Sequence, residues 1–100
     1  MMNKDAVLRF LGLCQKSRKL VSGEAFSIEK IKNKQAKLVF LASDAGYNTN
    51  KRVREKCEFY QVQIIDDFDT LELSSAIGKN NRKVLAVIDH GFMAKLKTLL

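Results

Sequence analysis

Between Lys16 and Gly23 the chain reads Lys16-Ser17-Arg18-Lys19-Leu20-Val21-Ser22-Gly23, its densest polar stretch, and a helical pattern follows. A helix start presents unpaired amide N–H groups and a partial positive charge, so cations beside it attract a phosphate from a distance. Ser22 is placed to cap that helix and Glu24 falls in its first turn. Gly23 allows another backbone to come close, because no Cβ stands in the way. Taken alone, the same residues also describe an ordinary strand-to-helix turn with a serine cap.

Charge extends the argument. Lys and Arg number 18 and Asp and Glu 11 in 100 residues, a net charge of +7. Thirteen of the bases but only six of the acids lie at or before Tyr60; the remainder is balanced at five of each. That is the pattern expected if one side of the fold faces an anion, and RNA and DNA lead the candidates. A solvated surface with an accidental bias would show the same totals.

Other chemistries find little support. The five glycines are dispersed, and neither GxGxxG nor GxxxxGK[ST] occurs. His90 is the single histidine, set between Asp89 and Gly91 at a helix start, where a capping or solvent role outweighs general-base catalysis. Cys14 and Cys57 fall on apolar helix stripes without CxxC spacing, which reads as buried thiols rather than nucleophiles, a disulfide or a zinc site. Asp66, Asp67 and Asp69 are dense but lack the ordered spacing of a calcium loop. No enzyme, cofactor or metal is expected. A small enzyme would have only Asp44, Asn48 and His90 at the sheet edge to work with.

The elements that position these residues alternate. Val7, Phe10, Leu11 and Cys14 make one stripe of a helix over Asn3 to Lys16, with Asn3 as cap and Asp5 at its positive end. Leu20-Val21 suffices for an edge strand. A second helix carries Phe26, Ile28 and Ile31 inward and Lys30, Lys32 and Lys34 outward, ending near Asn33 to Gln35. Leu38 to Ala42 and Val84 to Ile88 are unbroken apolar runs of strand length, which implies burial on both faces. Between them, Asn48 or Thr49 caps a helix with Val53, Cys57 and Tyr60 inward, and Val62 to Ile65 forms a strand. Asp69-Thr70-Leu71-Glu72 reads as a capping box for a short helix stopping at Gly78. Asp89 caps a last helix with Phe92, Leu96 and Leu99 inward. Such alternation predicts one sheet between helix layers, mainly parallel with room for an antiparallel edge, in a single domain spanning residues 1–100. No apolar run reaches the roughly 20 residues needed to span a bilayer, and the first residues lack a signal-peptide pattern. A cytoplasmic protein without membrane contact is expected.

Several segments carry a family resemblance: Arg18 to Glu24, Ala36 to Ala45, Asn48-Thr49, Lys56-Cys57, Ala76 to Lys79 and Asp89 to Phe92. In this order and spacing they resemble the bacterial YlxQ-type branch of the ribosomal-protein superfamily that binds kink-turns in RNA. The resemblance covers nearly the whole chain. It implies a three-layer α/β/α sandwich, which with the alternation of elements gives the expectation of a mixed, mainly parallel four-stranded sheet. It also implies RNA binding through the start of the second helix, nearby basic residues and a loop after a later strand. Kink-turn binders start that helix with Gly-Thr-Asn-Glu-x-x-Lys. Here Gly23 keeps the glycine, while Glu24, Ala25, Phe26 and Glu29 take the Thr, Asn, Glu and Lys positions. Ala25 and Phe26 offer no polar contact to a base edge, and Glu29 repels a phosphate. The later loop supplies acids at Asp66, Asp67 and Asp69; Phe68 either stacks on a base or packs beneath the fourth helix.

The resulting expectation is a non-enzymatic, ribosomal-protein-like domain that binds structured RNA, ribosomal RNA foremost, in ribosome function or assembly. Its RNA-binding residues are Lys16, Arg18, Lys19, Ser22, Gly23, Glu24, Lys30, Lys32, Lys37 and Asn48, joined by Lys51 or Arg52. Ribosomal or assembly proteins are further partners. The alternative is a protein-interaction module of the translation machinery without direct RNA readout.

Overall fold

The computed structural model describes residues 2–100. In order they form α1 (Lys4–Lys16), β1 (Leu20–Ser22), α2 (Glu24–Lys32), β2 (Leu38–Leu41), α3 (Tyr47–Tyr60), β3 (Ile64–Ile65), α4 (Thr70–Ala76), β4 (Val84–Val87) and α5 (His90–Leu99). The side chain of Asn3 accepts from the Ala6 amide and that of Asp89 from the Phe92 amide, so both expected caps form. At α4, Asp69 accepts from the Glu72 amide while the Glu72 carboxylate accepts from the Asp69 amide, completing the capping box.

Two caps differ from the sequence reading. Ser22 is the last residue of β1, and Gly23 takes the N-cap of α2 with no side-chain hydrogen bond. Likewise α3 starts from Gly46, uncapped by any side chain, which moves Asn48 and Thr49 into its first turn. The Thr49 hydroxyl is instead committed to Glu24, to which it donates at 2.6 Å.

The sheet order is β1-β4-β2-β3. β4 is antiparallel to both β1 and β2, and β2–β3 is the parallel pair. The sheet is thus mixed but mostly antiparallel, a correction to the mainly parallel expectation. The reversal arises after α4. Seven residues of helix cover only about 10 Å, and residues 78–83 then carry the chain back along it. The Ser74 hydroxyl accepts from the Arg82 amide at 2.8 Å and fixes that return. β4 therefore starts at the edge where β3 ends.

The apolar runs divide as a twice-covered sheet requires. Leu38, Phe40, Leu85 and Val87 face a core shared with Val7, Leu11 and Cys14 of α1, Leu73 of α4 and Leu96 of α5. Val39, Leu41, Val84 and Ala86 face Ile31 of α2 and Val53 and Cys57 of α3. Alternate residues of each central strand thus serve opposite layers. Phe68 is 1% exposed and packs on Phe40 with ring centroids 6.0 Å apart, so it is core and unavailable to a base. Phe26, expected inward, is 64% exposed on the first turn of α2, where Ser27 takes the buried position.

Candidate nucleic-acid interface

The topology gives the sheet two unlike edges. The upper edge gathers the ends of β1, β2 and β3 with the starts of α2 and α3; the lower edge gathers the starts of those strands with the ends of α1 and α2. A four-residue strand separates them by about 13 Å.

At the upper edge Gly23 has φ 99° and ψ 152°, a conformation that only glycine adopts readily. Its amide donates to the Val84 carbonyl at 2.8 Å, which locks the bend to the neighbouring strand. The amides of Glu24, Ala25 and Phe26 in the first turn receive no side-chain cap, so the positive end of α2 is open to an outside acceptor. A Cβ added to Gly23 would lie 3.5 Å from a terminal nitrogen of Arg82, so the guanidinium lies directly beside the bend. The Arg82 Nε is buried and has no hydrogen-bond partner among the described residues. The Arg82 terminal nitrogen and the uncapped first-turn amides of α2 thus put hydrogen-bond donors side by side at this edge.

Glu24 braces this edge. Its carboxylate accepts from the Thr49 hydroxyl and pairs with Arg52, joining the starts of α2 and α3. Asn48 is exposed one residue before that brace. An open recess of about 380 Å³ is lined by Asp44, Thr70, Lys79, Asn81 and Lys83, the last two being chain neighbours of Arg82. Hydrogen bonds from the Thr70 hydroxyl, at 2.6 Å, and the Thr70 amide, at 2.9 Å, hold the Asp44 carboxyl below its usual range. A larger groove, about 450 Å³, runs along α2 past Ala25, Ile28, Glu29, Lys32 and Asn33.

The expected residues therefore separate. Ser22, Gly23, Glu24 and Asn48 meet at the upper edge. Lys16, Arg18 and Lys19 precede β1, Lys37 precedes β2, and Lys30 and Lys32 close α2, all toward the lower edge. Lys19 stands 4.0 Å from Asp89, and Lys30 donates to Gln35 at 2.8 Å. The loop Asp66-Asp67-Phe68-Asp69 is internally occupied: Asp66 pairs with Arg54 at 2.7 Å, and the Asp67 carbonyl accepts from Lys4. Sequence reasoning missed the α4–β4 loop, which provides Arg82. Its signal was there in Lys79-Asn80-Asn81-Arg82-Lys83, five polar residues between a glycine stop and an apolar strand.

Fold and site together define a small α/β/α domain with an anion-receptive, glycine-started helix backed by a loop arginine. Residues 5–97 match the Ribosomal protein L7Ae/L30e/S12e/Gadd45 family, and the chain belongs to it. It is 47% identical over 90 residues to the RNA-binding protein YlxQ of Bacillus subtilis (strain 168), covering 90% of each chain. To the RNA-binding protein YlxQ of Enterococcus faecium it is 39% identical over 98 residues, covering 98% of this chain and 94% of that one. Among solved structures, a protein of unknown function from Bacillus halodurans C superposes with a TM-score of 0.87 at 40% identity, covering 93% of this chain and 94% of that one. The Giardia lamblia 15.5kD RNA binding protein shares the fold at a TM-score of 0.78 and 16% identity, covering 97% of this chain and 90% of that one.

Proposed function

We propose that this protein is a non-enzymatic RNA-binding protein that takes structured RNA, a kink-turn among the candidates, at the upper edge, in ribosome function or assembly. The observation that carries the reading is the Arg82 guanidinium, whose terminal nitrogen lies beside Gly23 at the uncapped start of α2. Two relatives that bear the name RNA-binding protein and align over nearly the whole chain support it. Free amides and a guanidinium suit phosphate and sugar oxygens, contacts that position an RNA without reading its sequence. Ala25 leaves the base edges unread, and exposed Phe26 supplies a face for an unpaired base. Gly23 permits the close approach, Glu24 holds the two helix starts in place, and Asn48 borders the surface.

The test is a titration of a hairpin containing a kink-turn against the same hairpin with its kink replaced by continuous duplex. The kinked form should bind at least about tenfold more tightly, and Arg82→Ala should remove about 1.5–3 kcal/mol of that binding, the usual worth of a charged hydrogen bond. Absence of binding to either RNA at low salt would favour a protein-interaction module instead.

A further inference from the structure

We propose that the lower edge is a second and independent RNA surface that grips duplex phosphates, so that one molecule bridges two RNA segments. Leu20 and Leu38 both pair with Val87, which places Lys19 and Lys37 on either side of the end of β4. Two strand spacings, about 10 Å, separate their backbones. Lys16 and Arg18 adjoin the first, and Lys34 adjoins the second.

Backbone geometry adds an independent argument. Arg18 and Lys34 have φ values of 58° and 67°. Each follows a helix cap, and the next residue closes the turn: Lys19 N–H donates to the Cys14 carbonyl at 2.8 Å and Gln35 N–H to the Lys30 carbonyl at 3.0 Å. This helix-ending turn favours glycine at the left-handed position. The chain puts an exposed cation there twice, at the same edge.

Lysines often merely offset the negative end of a helix. Here they exceed that need. Lys16, Arg18, Lys19, Lys30, Lys32, Lys34 and Lys37 stand against three carboxylates at this end, Glu29, Glu58 and Asp89. The ends of α1, α2 and α3 contribute only about half a negative charge each. The two turns, residues 16–19 and 34–37, hold no aromatic side chain for stacking an unpaired base, and the exposed Phe59 near the end of α3 is set edge-on against Tyr60, so phosphate contacts to paired strands lead over base stacking. The upper and lower edges point in opposite directions, so one short helix cannot occupy both.

The experiment uses a double variant, Arg18→Gly with Lys34→Gly, which removes two cations and relieves both left-handed residues, so its fold is kept. A labelled short RNA duplex of arbitrary sequence is titrated across a range of salt. Its affinity should fall at least about tenfold in the variant, with a log–log salt slope shallower by about 2. Arg82→Ala should lower duplex affinity far less than the double variant does. In a second arm, a tethered kink-turn hairpin loaded with protein should capture the duplex, and the double variant should bind the hairpin but capture none. This arm alone rests on the RNA reading of the upper edge; if the double variant fails to bind the hairpin, that reading falls while the duplex titration still judges the lower edge. Unchanged duplex affinity in the double variant would overturn the proposal. So would a polyglutamate peptide binding the lower edge more tightly than the duplex, which would mark an acidic protein surface as its partner.

Discussion

Gly23 concentrates several demands on one residue. Its backbone conformation disfavours side chains at a cost of about 1–3 kcal/mol, while the Arg82 guanidinium beside it leaves room for a Cβ at ordinary contact distance. Gly23→Ala should lower the thermal midpoint by several degrees, by about 4–8 °C per kcal/mol for a domain of this size, and weaken RNA binding together with it. The thiols behave oppositely to catalytic ones. Burial pushes Cys14 and Cys57 up to about 11 from an ordinary 9.0. Both states hold neutral thiols at neutral pH; above pH 9 the unfolded chain loses these protons first, so stability falls as pH rises from about 9 to 11. A thiol reagent should therefore leave the native protein unmodified at neutral pH and react fully after denaturation. The buried thiols were legible from the helix stripes. The Gly23–Arg82 contact was not, because it joins residues distant in the sequence through a strand pairing that periodicity does not specify.

Helix α1 meets α4 through Gly12, where an added Cβ would stand 2.8 Å from the Ala76 carbonyl oxygen. In an isolated helix Gly→Ala gains about 1 kcal/mol. Here the backbone of α4 must move, so Gly12→Ala should destabilise by about 1–3 kcal/mol in a denaturant melt, reversing the intrinsic trend. Asp69→Ala removes one half of the capping box and should cost about 1 kcal/mol in the same assay. That box was readable because its two partners sit three residues apart. The start of α3 was misread because Thr49 has a cap's chemistry but spends its hydroxyl on Glu24 of another helix. Strand order posed the same difficulty. The unbroken runs Leu38 to Leu41 and Val84 to Val87 announced interior strands, while the direction of β4 depended on how far a seven-residue helix reaches.

Across the whole molecule, charge that is contiguous in sequence is split in space. Lys19 and Gly23 are four positions apart, yet the three-residue β1 carries the chain from one edge to the other between them. The sequence shows the excess charge but not its division, since a strand moves cations by its full length and a turn does not. The edges lie about 13 Å apart, beyond the Debye length of about 8 Å at physiological salt. Arg18→Ala with Lys19→Ala should therefore change kink-turn affinity little, with no loss of thermal midpoint, because exposed charges add little stability. Arg82→Ala should change it most. No helix among the described residues is long and apolar enough to cross a membrane.

The most direct measurement of the central claim follows backbone amide shifts by NMR as a kink-turn hairpin is added. Glu24, Ala25, Phe26 and the loop from Lys79 to Lys83 should move first and furthest, with the lower-edge turns unaffected until excess RNA is present. Shifts confined to residues 16–19 and 34–37, with the start of α2 silent, would contradict the account.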